Sequence, residues 1–165
     1  MKYKLFIFVT LLSIFSCAKK TAAPASSTRS AAYREKVIST ATMSSDIING
    51  VNAYRKTKGL PPLKLLALAA SEASKHSSDM ASKRVPFGHD GFNQRAIALA
   101  NELQGSSATG ENVAFGKMTW KQVIDAWLKS PEHKANIEGA FTYTGVGVAK
   151  DSRGVVYYTQ LFVKK

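Results

Sequence analysis

Apolar positions in the middle of the chain recur at the spacing of an α-helix. After Ser44 and Ser45, which have the chemistry of helix caps, apolar side chains fall on one helical face until Gly59 ends the pattern. An alanine-rich segment from Lys64 to Lys83 continues the helical spacing, and a weaker pattern runs from Asn93 to Leu103. The spacing therefore predicts three helices in this part of the chain.

Two further helix starts follow. Thr119 and Gln122 have the spacing of a capping box, in which each side chain bonds the backbone N–H of the other residue. Ser130-Pro131 combines a capping residue with proline at the first helical position. We expect one helix after each of these signals.

The C-terminal part changes to the pattern of β-strands. Residues 142–149 and 155–163 are rich in β-branched and aromatic side chains, and a polar segment containing Gly154 separates them. This arrangement is typical of a β-hairpin. Helices followed by a terminal antiparallel sheet predict an α+β domain in which helices and strands form separate layers.

Residues 1–16 have the pattern of a signal peptide. Lys2 and Lys4 make a basic start, and an apolar run extends from Leu5 to Phe15. The run is shorter than the ~20 apolar residues that span a bilayer as a helix, so it is expected to be an export signal. It ends at Ser16-Cys17, which resembles a lipobox.

The resemblance to a lipobox implies cleavage after Ser16 and attachment of lipid to Cys17, the only cysteine in the chain. A membrane would then be a partner through the acyl chains, because each buried methylene contributes about 0.8 kcal/mol. The expected location is outside the cytoplasm, with the domain facing the periplasm or the extracellular space. The alternative is an ordinary secreted protein whose cysteine carries no lipid.

Between Cys17 and Thr42 the chain is rich in Ala, Ser, Thr and Lys and poor in bulky apolar residues. Such a segment buries too little surface to offset its ordering entropy, so we predict a flexible tether over residues 17–42. The folded domain is expected to occupy residues 43–165. A lone cysteine allows no intramolecular disulfide, so stability must come from a packed core.

The net charge of +12 matters less than its distribution. Lysines and arginines are scattered along the chain, and an export signal argues against nucleic acid as a partner. Attraction to anionic lipid headgroups or envelope polymers remains compatible with the charge. We expect no nucleic acid binding and a monomeric protein.

The candidate chemistry rests on histidines and one glutamate. His89 lies in a non-helical segment and His133 at a helix start, where rigid scaffolds present side chains to clefts. His76 lies within a predicted helix and is interpreted as a surface or capping residue. Glu111 is expected either to line a pocket or to lock its loop by accepting backbone hydrogen bonds. Because 22 residues separate His89 from Glu111, and Glu111 from His133, only the tertiary fold can assemble them.

Other positions are assigned structural roles. Asn112 and Asn136 are expected to bond to backbone groups, and Trp127 to lie in the core. Arg95 is expected to pair with an acidic group that the sequence does not identify. Gly145 and Gly147 are expected either to permit close backbone packing in a strand or to form a bulge.

Several short motifs follow one another in a fixed order: Phe87-Gly-His-Asp90, Arg95, Gly110-Glu-Asn-Val113, Trp127 through Ile137, Phe141 through Gly147 and Tyr158-Thr-Gln-Leu-Phe162. Together they resemble the bacterial branch of the CAP superfamily of cysteine-rich secretory, antigen 5 and pathogenesis-related proteins. The resemblance covers about Asp46 to Val163, and it implies an α-β-α sandwich with a mainly antiparallel central sheet.

The resemblance also implies a cleft lined by two histidines and two acidic residues. His89, Glu111 and His133 match three of these positions, whereas Ser130 stands where the fourth, a glutamate, is found in eukaryotic members. Some members bind a divalent metal, so His89 and His133 are candidate ligands for Zn²⁺ or another divalent cation. Glu111 would be the general base in an enzyme, or it would orient a histidine.

Three functions follow from these residues. The first is a cell-envelope binding or scaffold module whose cleft recognises a peptide, glycan or lipid, and it agrees with most characterised roles in the family. The second is a metal-dependent hydrolase acting on peptides or on the envelope. The third gives the histidines and glutamate a purely structural role.

Overall fold

The computed structural model describes residues 25–105 and 108–165, with side chains from residue 39 onward. The predicted signal peptide and Cys17 lie outside these residues. No helix in the described part is long and apolar enough to cross a membrane. The elements are α1 (Ala25–Thr57), β1 (Lys64–Leu65), α2 (Ala67–Ala81), α3 (Phe92–Glu102), β2 (Ala108–Gly116), α4 (Trp120–Lys129), α5 (Pro131–Glu138), β3 (Tyr143–Lys150) and β4 (Val156–Lys164).

The strands form one four-stranded sheet in the order β1-β3-β4-β2. The predicted hairpin is confirmed, because β3 and β4 pair antiparallel, with Val146 opposite Gln160. On the far side of β4, β2 also pairs antiparallel and sets Glu111 opposite Leu161. Only β1 runs parallel to its neighbour, β3. The predicted α+β class is therefore confirmed.

Helices cover both faces of this sheet. On one face, Ala69 and Ala73 of α2 and Leu99 of α3 pack with Leu161 and Val163 of β4. The close approach of α2 depends on glycine, because a Cβ atom at Gly145 or Gly147 would collide with the α2 backbone.

On the opposite face, α1, α4 and α5 enclose the larger core. Trp127 is 1% exposed and packs with Ile47, Ile137, Val146 and Phe162, as predicted for a core residue. The capping box of α4 is also confirmed: the backbone N–H of Thr119 donates to Gln122 Oε1 at 2.8 Å.

A buried arginine joins α1 to the end of α5. Arg55 is 1% exposed, and its Nη1 donates to the carbonyl oxygens of Ile137 at 2.7 Å and Gly139 at 2.8 Å. Burial lowers the pKa of Arg55, because the charged guanidinium has left water. The carbonyls at this helix end are groups that no longer have intrahelical partners, so the bonds fix the position of α5.

Two helix starts differ from the prediction. The first helix begins at Ala25, so Ser44 and Ser45 lie inside α1, where their hydroxyls donate to the carbonyls of Thr40 and Thr42. Alanine-rich sequence has high helix propensity and continues a helix that the core already stabilises. The second helix begins at Ala67 rather than Lys64, because Lys64 N–H donates to Thr142 O at 2.9 Å within the sheet.

Candidate functional site

Glu111 is a buried carboxylate in the middle of β2. Its side chain is 1% exposed, and Arg95 of α3 approaches it in a bidentate pair. Arg95 Nε donates to Oε2 at 2.8 Å and Nη2 donates to Oε1 at 2.9 Å. Glu111 is thus the acidic partner of Arg95 that the sequence did not identify. Such a pair is short and directional, so it fixes both side chains.

His89 forms the third member of this cluster. Its Nδ1 lies 2.8 Å from Glu111 Oε1, and because an ionised carboxylate only accepts, Nδ1 carries the proton. In the neutral ring the lone pair is then on Nε2. The His89 side chain is 52% exposed, so one edge of the ring is fixed and the other is accessible to a ligand.

The segment that carries His89 is held from two helices. Arg95 Nη1 donates to Asp90 O at 2.8 Å, and His76 Nε2 donates to Gly88 O at 2.9 Å. The segment needs glycine at residue 91, whose φ is +76°, a conformation that other residues rarely adopt. These bonds on either side of His89 restrict where its ring can lie.

The prediction that His76 is a surface or capping residue was wrong. His76 is 3% exposed, and burial lowers the pKa of its ring, with the nearby charge of Arg95 acting in the same direction. Its place in the core could have been found from the spacing, because Ala69, Ala73, His76 and Met80 form one buried face of α2.

His133 reaches the same region from the first turn of α5. Burial is the main cause that lowers its pKa, and the neighbouring His89 lowers it further. Asn112 Nδ2 donates to His133 O at 3.0 Å, and Asn136 Nδ2 donates to Glu111 O at 3.2 Å. The predicted side-chain-to-backbone bonds are confirmed, and they join α5 to the edge of β2.

This cluster leaves few donor atoms free for a divalent metal. His89 and His133 offer two imidazoles, but both Glu111 oxygens already accept from Arg95 and His89. Within residues 25–105 and 108–165, no three His, Cys, Asp or Glu side chains are placed to hold a metal ion. Catalytic zinc sites normally use three protein ligands, so the described residues do not fit such a site.

Comparison with known proteins agrees with this geometry. The model of the family described as "CAP: Cysteine-rich secretory protein family" matches residues 48–162. The chain belongs to the CAP family. The match includes His89, Glu111 and His133 and all four strands except the end of β4.

Two bacterial relatives of this CAP domain belong to longer proteins. The uncharacterized protein YkwD of Bacillus subtilis is 31% identical over 122 residues, which are 72% of this chain and 46% of YkwD. An extracellular protein with an SCP domain from Bacillus anthracis has a crystal structure that is 29% identical with a TM-score of 0.65. That match covers 76% of this chain and 41% of the other, so this chain spans less than half of either relative.

The same fold makes up most of another protein of known structure. An outer surface protein from Borrelia burgdorferi matches with a TM-score of 0.64 at 21% identity, covering 73% of this chain and 91% of that chain. At this identity the match concerns the fold of the CAP domain alone. It supports the predicted arrangement of helices around a central sheet.

Proposed function

We propose that this CAP domain is an exported binding module of the cell envelope, with a ligand surface centred on His89 and His133. The observation that carries the proposal is the state of Glu111. Its carboxylate is buried and both oxygens are engaged, so it orients His89 instead of reacting. The imidazole of His89 remains the accessible group.

The chemistry of the two imidazoles indicates what such a ligand would offer. The pKa of His133 is lowered, which keeps its ring neutral at neutral pH. In neutral His89, Nε2 is a hydrogen-bond acceptor, because Nδ1 donates to Glu111. We therefore expect a ligand that donates hydroxyl or amide protons to the cleft.

The hydrolase alternative has less support. A general base must be free to take a proton, whereas Glu111 could do so only by giving up bonds to Arg95 and His89 in a buried setting. Two imidazoles would bind Zn²⁺ only weakly, with solvent completing the shell. The zinc site thus stays a prediction, with low affinity expected.

Export and anchoring complete the proposal. The B. anthracis relative is described as extracellular and the B. burgdorferi protein as an outer surface protein. The B. anthracis relative supports export, and the apolar N-terminal run that ends at Cys17 supports attachment by lipid. An envelope ligand would then be within reach of the cleft.

The test records side-chain NMR signals of both histidines while envelope components are added: peptidoglycan fragments, anionic and neutral oligosaccharides, short peptides and phospholipid vesicles. We expect saturable shifts with at least one class and no chemical change in the ligand. Binding should be lost in a variant with His89→Ala and His133→Ala. A matched variant with Leu65→Ala, on the opposite sheet edge, should bind normally.

Zinc is titrated in the same experiment. Weak binding that the double histidine variant loses agrees with the proposal. Hydrolysis of any component that a chelator stops and zinc restores would instead establish an enzyme and overturn the proposed binding role.

A further inference from the structure

An aromatic face lies next to His89 and Glu111. Phe87 and Phe115 are 45% and 52% exposed, although their rings touch with centroids 4.6 Å apart. Phe115 also stacks on Tyr157, with centroids 5.8 Å apart and an interplanar angle of 20°. Exposed large apolar side chains in contact with one another mark interaction surfaces more often than scattered ones do.

The aromatic face and the cleft share the same two segments. Phe87 precedes His89 by two residues, and Phe115 follows Glu111 by four residues on β2. Side chains alternate along a strand, so Phe115 lies on the same face of β2 as Glu111. The Phe87–Phe115 and His89–Glu111 contacts therefore connect the same segment to the same strand at two levels.

A basic groove continues from the other end of the aromatic face. It has a volume of about 720 Å³ and lies between the end of α2 and the connection from β3 to β4. Four basic side chains line it, and the one acidic side chain among its lining residues is Asp151, which pairs with Arg153. Arg84 pairs with Asp79, which lies outside the lining. The basic residues are Lys83, Arg84, Lys150 and Arg153.

The groove and the aromatic face are continuous. Tyr157 lies opposite Ala149, a residue that lines the groove, and Val85 packs against the small core that contains Tyr157. One segment, residues 83–89, supplies Lys83, Phe87 and His89 in that order. Six residue steps extend at most ~20 Å, which sets the scale of the surface along this segment.

We propose that this surface binds an anionic polysaccharide of the cell envelope, extended from the basic groove across the aromatic face to the histidines. The inference rests on the proposed binding function and names its ligand class. Aromatic faces carry partial negative charge and attract the C–H faces of sugar rings. Because its four basic side chains outnumber Asp79 and Asp151, the groove has a net positive charge that would attract carboxylate or phosphate substituents. The imidazoles would accept hydrogen bonds from hydroxyl groups.

Single-stranded nucleic acid presents similar chemistry, because its bases stack and its phosphates are anionic. The relatives described as extracellular and outer-surface proteins favour the polysaccharide. The experiment must therefore distinguish binding of nucleic acid from binding of polysaccharide.

The experiment titrates the full protein, in detergent if it carries lipid, with three probes of six units each. They are a galacturonic acid hexamer, a glucose hexamer and hexathymidylate. Affinity is measured by calorimetry, and histidine NMR signals are followed with each probe. We expect the galacturonic acid hexamer to bind tightest of the three, with affinity that falls as salt is raised.

Two pairs of variants assign the surface. Lys83→Ala with Lys150→Ala should weaken binding of the galacturonic acid hexamer about tenfold at low salt, whereas Lys56→Ala with Lys129→Ala, on α1 and α4, should not. Phe115→Ala should weaken it about tenfold, as loss of a stacking ring does, whereas Leu65→Ala should not. Circular dichroism spectra and melting temperatures check that each variant is folded.

Each other outcome is informative. Equal binding of the neutral and acidic hexamers, or groove and aromatic variants that bind as the wild type does, would overturn the inference. Tighter binding of hexathymidylate would assign the surface to nucleic acid, and no binding of the galacturonic acid hexamer would also overturn the inference. The proposed function survives these results if another envelope component shifts the His89 and His133 signals, and it fails if chelator-sensitive hydrolysis is found.

Discussion

At the scale of single residues, Glu111 is a charge whose burial is compensated by its partners. Arg95 supplies two donors and His89 a third, all within 2.9 Å of the carboxylate oxygens. A buried ion pair need not add much stability, but the loss of one partner leaves the other charge without compensation. The site therefore depends on Arg95 even though Arg95 contacts no proposed ligand.

We predict that Arg95→Ala lowers the free energy of unfolding by about 3–5 kcal/mol, because it leaves the Glu111 carboxylate buried without its cation. Urea denaturation followed by circular dichroism measures the change. The matched control is Arg153→Ala, which should change stability little, because Arg153 is 64% exposed and Asp151 keeps its bonds from the backbone N–H groups of residues 153 and 155. If the two variants lose the same free energy of unfolding, the burial of Glu111 is not the cause of the loss in Arg95→Ala.

His76 gives the domain a pH dependence with a defined sign. Its pKa in the folded state is below the ordinary value of 6.5, chiefly through burial, and the pKa of His133 is shifted the same way. Between the folded and unfolded pKa values the unfolded chain binds more protons. The stabilising contribution of the two neutral histidines is therefore fully present above about pH 6.5. It is lost as the pH falls from there through their folded-state pKa values.

The measurement is the free energy of unfolding from pH 8 to pH 5. We expect a decline below about pH 6.5 in the wild type and a shallower one in His76→Gln, which keeps a side-chain donor for Gly88 O but does not titrate. The decline that remains would report His133 and the carboxylates. A profile that is the same in both proteins would rule out His76 as a contributor.

At the scale of elements, α2 packs closely against β3. The α2 backbone lies against β3 where Gly145 and Gly147 have no side chains. His76 belongs to the same helix, so this contact also fixes the position of His76, which donates a hydrogen bond to Gly88 O.

We predict that Gly147→Ala destabilises the domain by at least about 1–3 kcal/mol, because its Cβ would meet the α2 backbone at Ala73 and Ser74, which cannot move as a flexible side chain would. Thermal unfolding measures the loss, and the NMR signals of His76 should shift with α2. An unchanged melting temperature would mean that α2 moves away from the sheet at little cost.

Elements with their own periodicity were predictable from the sequence, whereas those that depend on a distant partner were not. The hairpin of β3 and β4 and the capping box of α4 are local patterns, and both were found. In contrast, β1 has two residues, and its state comes from pairing with β3 far along the chain. The full extent of β2 was also missed, because Gly110 and Glu111 do not have strand propensity.

The candidate site was likewise predictable from the sequence only in part. His89, Glu111 and His133 were singled out from their local settings and from the resemblance to the CAP family, but the bond from His89 to Glu111 and the role of Arg95 depend on tertiary contacts. Phe87 and Phe115 carried no sequence signal as a pair, because 28 residues separate them and only the fold brings their rings together.

At the scale of the whole molecule, the proposed lipid anchor determines where the cleft operates. We predict that Cys17→Ser abolishes incorporation of labelled fatty acid and moves the protein from the membrane fraction to the soluble exported fraction, because the acyl chains supply the membrane affinity. Fractionation with immunoblotting measures the change. The matched variant Ser16→Ala, a small residue before the cysteine, should remain in the membrane fraction. If the wild-type protein incorporates no labelled fatty acid, Cys17 carries no lipid and the protein is secreted without an anchor.

The dense bonding around Glu111 also bears on how this protein can evolve. Arg95, His76 and Glu111 each serve the fold and the placement of His89 together, so a substitution at any of them changes both properties. Phe87, Phe115 and Lys83 are exposed and can vary with less cost to stability. New ligand preferences should therefore arise through drift at the exposed positions, while the buried ones stay under purifying selection.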